Sequence, residues 1–366
     1  MIKKIFNSPR SVHENQHHRF VEIRKKVRAS VRTDGLSDDQ KSFVLALAGI
    51  NGHPGRLLAS DTEAIKRASR FFAEAMASHR ASDPKLKFFL LTFTDDVGIV
   101  SDRSPVAPLA TLEAKVRRQL AKLNLDAVAV IEVHPLVNYP GGGEGRSLLY
   151  HVHVLAWTTQ PFDHNAAAAN LNASHAWNCK LGAPPVTIEP IGDSELDVRR
   201  TAAYMIKPPH SAKNRMASKT DPARFLLMDT IEGYRPELAL RVIEGLSQVE
   251  FCSLVFGIGA GRKIRQQLRA EIEAWHRQRP RTGTIVPSAT DVWQFWLQLR
   301  QQFGSKNFLP YRFDSVIVPK PPRASRKARA GVNGSHPKKA VRRESRWQLG
   351  SSPRSRKTKK PGQRLL

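Results

Sequence analysis

Two histidines interrupt a markedly apolar stretch of this chain, Leu148-Leu149-Tyr150-His151-Val152-His153-Val154-Leu155-Ala156-Trp157. Its aromatic and β-branched content reads as a buried strand. Residues two apart on a strand point to the same face, so the two imidazoles project side by side. Buried imidazoles need partners, because an unpaired polar group in the interior costs free energy. They can hydrogen-bond within a polar pocket, or they can share one divalent metal that serves both. The pair alone decides neither.

The preceding strand, Ala127-Val128-Ala129-Val130-Ile131-Glu132-Val133-His134, carries a carboxylate, and the Gly-rich run Pro140-Gly141-Gly142-Gly143-Glu144-Gly145 separates the two. In a hairpin centred on Gly141 and Gly142, Glu132 falls opposite His151 and His134 opposite Leu149. Cross-strand neighbours have Cβ atoms about 5 Å apart. Glu132, His151 and His153 would then converge on one point. His134, one step away on the same face, would be a substitute third ligand or a support behind the ligands. The alternative for Glu132 is a solubilising charge on an edge strand.

A helix over 194–207 stops at Pro208-Pro209. Helical spacing puts Arg200, Tyr204 and Lys207 on one of its faces. A phenol beside two cations is suited to phosphoryl chemistry, since the cations favour phenolate and hold phosphate. The bland alternative is a core tyrosine followed by a solvated lysine.

Ser60-Asp61-Thr62-Glu63 reads as a capping box with Ser60 as the cap. Behind it Ile65, Ala68, Phe71, Phe72, Ala75 and Met76 recur at helical spacing. The segment Lys87-Phe88-Phe89-Leu90-Leu91-Thr92-Phe93-Thr94 reads as a strand, and 186–191 as another. Residues 20–31, 39–48, 109–123, 236–246, 262–277 and 290–303 read as helices. The run Gly257-Ile258-Gly259-Ala260-Gly261-Arg262-Lys263 hints at a phosphate loop. It fails the Walker pattern, because its glycines are too closely spaced and no Ser or Thr follows the lysine.

Charge narrows the partner. Lys and Arg total 59 against 32 Asp and Glu, a net charge of +27. Residues 319–366 hold 16 of the bases and one acid, with few large apolar residues. Such a segment cannot offset the entropy of ordering, and it reads as a disordered basic tail that tethers nucleic acid. An excess this large calls for a polyanion, nucleic acid or an anionic membrane surface. No apolar run approaches the roughly 20 residues that span a bilayer. The basic start lacks the apolar stretch of a secretory signal. Two cysteines, Cys179 and Cys252, suit a reducing compartment, so a cytoplasmic location is expected.

Taken in order, Phe89-Leu90-Leu91-Thr92-Phe93-Thr94, His151-Val152-His153 and Tyr204-Met205-Ile206-Lys207 resemble the three motifs of the HUH endonuclease superfamily. More narrowly, they resemble those of single-tyrosine rolling-circle replication initiators of bacterial plasmids. The likeness covers roughly residues 85–210. It implies an α+β fold with a central antiparallel sheet and flanking helices, an HUH/RRM-like nuclease domain at 60–210. Around it would lie an N-terminal basic and helical segment at 1–59, a mainly helical accessory region at 211–318 and the disordered tail at 319–366.

The likeness also implies a site. Tyr204 would attack a phosphodiester at a replication origin, forming a 5′-phosphotyrosine link and freeing a 3′-hydroxyl. Glu132, His151 and His153 would hold Mg²⁺ or Mn²⁺, and Lys207 would steady the phosphate. His134, Arg200, Thr92 and Thr94 would support the ligands or bind phosphate. The partner would be single-stranded or hairpin DNA, with a host helicase and polymerase acting after the nick. A second tyrosine, present in some relatives, is replaced here by Pro208, Pro209 and His210. A cupin would need a glutamate soon after the histidine pair, and 155–161 has none. Relaxases place the tyrosine ahead of the histidines, which favours the initiator or transposase branch. A transposase, a mobilisation relaxase and a non-catalytic basic DNA-binding regulator stay open as alternatives.

Overall fold

The computed structural model describes residues 12–307, apart from 33–35, 102–106, 138–143, 175, 219–224, 231–235 and 283–285. The expected disordered tail at 319–366 lies outside the described residues.

Eight strands form one sheet: β1 (Lys87–Phe93), β2 (Ile99–Ser101), β3 (Asp126–Val137), β4 (Glu144–Thr158), β5 (Val186–Pro190), β6 (Ala212–Ala217), β7 (Phe225–Thr230) and β8 (Val255–Ile258). The order is β5-β1-β4-β3-β6-β7, with β2 added to β4 and β8 added to β3. The helices are α1 (Val12–Ser30), α2 (Asp38–Leu47), α3 (Thr62–Ser82), α4 (Leu109–Leu123), α5 (His164–Ala173), α6 (Glu195–Met205), α7 (Pro236–Ser247), α8 (Gly261–Arg277) and α9 (Ala289–Asn307). The fold class is α+β.

The sheet is mixed rather than antiparallel throughout. β6 runs parallel to β3, pairing Leu136 with Lys213 and Val137 with Asn214. The chain reaches β6 through α6, and that crossover returns it in the direction of β3 rather than against it. Strands β6, β7 and β8 all fall after residue 210, so the sheet does not end where the nuclease region was expected to end. The region 211–318 is therefore less purely helical than its sequence suggests.

The β3–β4 register is the one that counting from the turn gives. Glu132 pairs with His151, His134 with Leu149 and Val130 with His153. The strands also run further into the turn than expected, to Val137 and from Glu144, with a register shift between Leu136 and Val137. β1 lies on the other side of β4, pairing Thr92 with His153.

The main core wraps this sheet. Phe72, Met76, Leu112, Val116, Leu120, Trp157 and Trp177 are among its fully buried side chains. A second core gathers Ile23, Val27, Val44, Leu47, Ile243, Val292, Trp296 and Leu299, so α1 and α2 pack with α7 and α9 from the far end of the chain. Inside it Glu244 pairs with Arg241 at 2.7 Å and with Arg300 at 2.6 Å, and Trp296 Nε1 donates to Ser247 Oγ at 2.8 Å.

α6 is placed over the site by local sequence. Ser194 caps it by accepting from the Asp197 amide at 3.1 Å. Pro208 and Pro209 bias the residues before them away from helix, and α6 ends at Met205. Lys207 thus sits just past the helix rather than on its face. Ser69 Oγ on α3 donates to the Ala203 carbonyl at 3.1 Å and ties the two helices together.

Candidate metal centre and tyrosine

Four strand positions and one segment past α6 meet in a buried cluster. Glu132 is 6 % exposed, His151 2 %, His153 5 %, His134 0 % and Lys207 6 %. One carboxylate oxygen, Glu132 Oε2, lies 3.3 Å from His151 Nε2, 3.0 Å from His153 Nε2 and 2.7 Å from Lys207 Nζ. The two Nε2 atoms are 3.1 Å apart. Thr92 Oγ1 stands 3.0 Å from His153 Nδ1 and fixes that ring from the neighbouring strand.

The donor set fits a metal ion. The ligand atoms of Glu132, His151 and His153 all lie within 4.8 Å of one another, and each residue is buried. Burial pushes the His151 pKa down to about 3 and that of His153 to about 4, against the opposing pull of Glu132. Both rings are therefore neutral at pH 7, the state in which an imidazole ligates. Burial by itself would raise the Glu132 pKa. Lys207, then His134, outweigh it and hold the carboxyl well below its usual range. Lys207 already offers Glu132 Oε2 one cation, and a divalent ion between the carboxylate and the two ring nitrogens would serve all three groups at once.

His134 backs the cluster rather than joining the ligand group. Its Nε2 faces the other carboxylate oxygen, Glu132 Oε1, at 3.0 Å, and its Nδ1 lies 2.9 Å from the Ser211 carbonyl. The ring is thereby pinned between β3 and the start of β6.

Tyr204 lies against the candidate ligand group. Its ring meets that of His153 edge-on, centroids 5.4 Å apart. Lys207 Nζ sits 3.7 Å from the Tyr204 centroid and the Arg19 guanidinium 5.8 Å from it. The second cation is thus Arg19 of α1, not Arg200. Arg200 is half-buried on α6 and makes none of the cluster's hydrogen bonds or ion pairs among the described residues. The expectation of an easily formed phenolate is also corrected. Burial raises the Tyr204 pKa to about 12, more than Lys213 lowers it, and Glu132 adds to the rise. Thr94 is buried just past β1, where its amide donates to the Pro185 carbonyl at 2.7 Å. Among the described residues it makes none of the cluster's side-chain hydrogen bonds or ion pairs.

Several neighbours of this site carry no motif. Asp229 on β7 pairs with Lys213 on β6 at 3.0 Å and accepts from Ser211 Oγ at 3.2 Å. Burial would raise the Asp229 pKa, but Lys213 and His134 draw it strongly down. His210 follows the double proline, its pKa pushed down by burial to about 3. Only the parallel return of β6 brings these residues to the site, so no local spacing announces them.

Among the described residues no helix is long and apolar enough to cross a membrane. Comparisons with protein-family models, with curated proteins and with solved structures match none of them to this chain.

Proposed function

We propose that this protein is a metal-dependent endonuclease and strand transferase that nicks one DNA strand through Tyr204 to start rolling-circle replication. The observation that carries the reading is the meeting of a buried Glu-His-His group with a tyrosine ring on one of its histidines. The resemblance of the three motifs to HUH endonucleases and the net charge of +27 support it. A transposase or mobilisation relaxase would use the same chemistry on a different DNA context.

Tyr204 Oη attacks the scissile phosphorus. A phosphorus–Oη bond forms, the bond to the 3′-oxygen breaks, and that oxygen leaves as a 3′-hydroxyl after taking up a proton. With its pKa raised to about 12, the phenol begins protonated, so its proton departs as the new bond forms. Mg²⁺ or Mn²⁺ held by Glu132, His151 and His153 would polarise the phosphate as a Lewis acid. Thr92 and His134 hold the ligand side chains in place from either side. The covalent link conserves the phosphodiester energy, so rejoining needs no nucleotide. Lys207 and Arg19 flank the phenol and would balance the phosphate's charge.

One observation favours a binding protein without catalysis: Lys207 already supplies a cation to Glu132 at 2.7 Å. Nicking decides between the two. Wild-type protein with Mn²⁺ should nick supercoiled plasmid and form a denaturation-resistant adduct with single-stranded oligonucleotides. Tyr204→Phe should lose the adduct while keeping DNA affinity within about twofold, because a single phenol oxygen adds little to a phosphate-driven interface. An adduct that survives in Tyr204→Phe, or DNA binding by the wild type with no nick at all, refutes the proposal.

A further inference from the structure

A cleft of about 630 Å³ lies outside the cluster, between α4, β8 and the first turns of α8. A pocket of about 30 Å³ lies beside Glu132 itself. Val255 lines both, and β8 pairs with Ala127 to Val130, so the cleft begins within a few residues of Glu132 along β3.

The local sequence explains how the cleft is made. Ile264, Leu268 and Ile272 bury one face of α8. Arg262, Arg265 and Gln266, at spacings of three and four, then share another face and line the cleft. The glycines that hint at a phosphate loop have a packing role instead. A Cβ at Gly261 would lie 1.9 Å from the Ala127 carbonyl oxygen, and one at Gly257 would lie 2.4 Å from the Gly261 oxygen. Only glycine lets the β8–α8 turn close onto β3 and set the three side chains over the sheet edge.

The lining is basic and braced. Arg117 from α4 pairs with Glu113, the one acid of the cleft, at 2.7 Å and donates Nη1 to the Gly257 carbonyl at 2.9 Å. Arg265 donates to the Val255 and Cys252 carbonyls, each at 3.3 Å. Two guanidinium groups are therefore held in place at the outer edge of β8. They use carbonyls that an added strand would need, which excludes an edge-pairing peptide as occupant. A guanidinium has five N–H donors, more than these contacts consume, and Arg262 adds an exposed third.

We propose that this cleft is a second nucleic-acid contact, in which Arg117, Arg262 and Arg265 grip backbone phosphates of DNA next to the strand held at the Glu132 cluster. Arginine suits the task, because its planar fork binds phosphate bidentately and is preorganised here by the carbonyl contacts. The proposal needs DNA binding but not cleavage, so it and the nuclease assignment can fail separately.

The test measures affinity of the full-length protein for a mixed-sequence 30-nucleotide strand and its duplex over a range of salt. Arg262→Glu should weaken binding roughly five- to tenfold at low salt and flatten the log–log salt slope by about one. Lys263→Glu makes the same charge change on the same turn, but Lys263 does not line the cleft. It should have the smaller effect. Equal losses in the two variants, or no loss in Arg262→Glu, would overturn the proposal. Inorganic pyrophosphate and a mononucleotide form the third arm. If Arg262→Glu weakens their binding while DNA affinity and slope stay at wild type, the cleft takes small phosphates and the proposal is likewise overturned.

Discussion

Glu132 serves two sides at once: Oε2 accepts from Lys207 and meets both His151 and His153, while Oε1 faces His134. The carboxylate is the sole negative charge in direct contact with that buried lysine among the described residues. Removing one member of such a pair leaves the other uncompensated in low dielectric, at a cost of about 3–5 kcal/mol. Lys207→Met should therefore be destabilised by roughly that amount in metal-free buffer. Its carboxylate would then lack a cation that a divalent ion can replace. Added Mn²⁺ should return more stability to Lys207→Met than to wild type, since in the wild type ion and ammonium compete for one oxygen. Urea unfolding with chelator and then with Mn²⁺ checks both steps. Equal gains in the two proteins would show that Lys207 and the metal do not share Glu132. Glu132 was legible from the sequence because the turn centre and the strand period together set its opposite number. Arg19 was not, for it reaches Tyr204 from a basic helix whose surface arginines look alike on paper.

Elements were readable where a stripe and a terminus agree, and α3 shows the limit. The capping-box pattern selects Ser60, but the cap is Asp61, whose Oδ1 accepts from the Glu63 and Ala64 amides at 3.0 Å each. Ser60 instead donates to the Leu47 carbonyl at 2.6 Å. Asp61 also pairs with Arg279, beyond the end of α8. Asp61→Ala thus removes a cap, typically about 1 kcal/mol, and a partly buried ion partner besides. It should cost about 2–4 kcal/mol, against about 1 for Ser60→Ala. Denaturant melts that ranked the two the other way would reject this cap. The missed elements lacked such cues. β6, Ala-Lys-Asn-Arg-Met-Ala, has no β-branched residue, and β8 is four residues long with a glycine among them. β8 is a strand because β3 offers it an edge, and β6 because β7 pairs along its whole length, which are tertiary causes. α5 is alanine-rich without a clear apolar stripe, although its cap, Asp163, accepts from the Ala166 amide at 3.0 Å. α6 ran short of its expected end because two prolines influence residues ahead of themselves.

At the scale of the whole molecule, buried histidine sets the response to acid. Burial lowers the pKa of His53, His79, His151, His153, His210 and His276, through six separate positions in the fold. His276 lies away from the cluster, against His53 with ring centroids 4.0 Å apart, where Asp61 and Arg279 also face it. Its pKa falls from 6.5 to about 4, chiefly through burial, with His53 adding to the drop. Below pH 6.5 the unfolded chain takes up a proton that the folded ring refuses. The unfolded state is then favoured by mass action, and stability declines as pH falls from about 6.5 toward 4. Paired carboxylates lose their contribution only at lower pH, below their own unfolded values. The early decline therefore belongs to the histidines. His276→Phe keeps a flat ring of similar size and removes one ionisation. Thermal melts from pH 7.5 to 4.5 should show a shallower fall for the variant than for wild type, whatever the variant's stability at neutral pH. An identical slope would clear His276 and leave the decline to the other buried histidines, His53, His79, His151, His153 and His210.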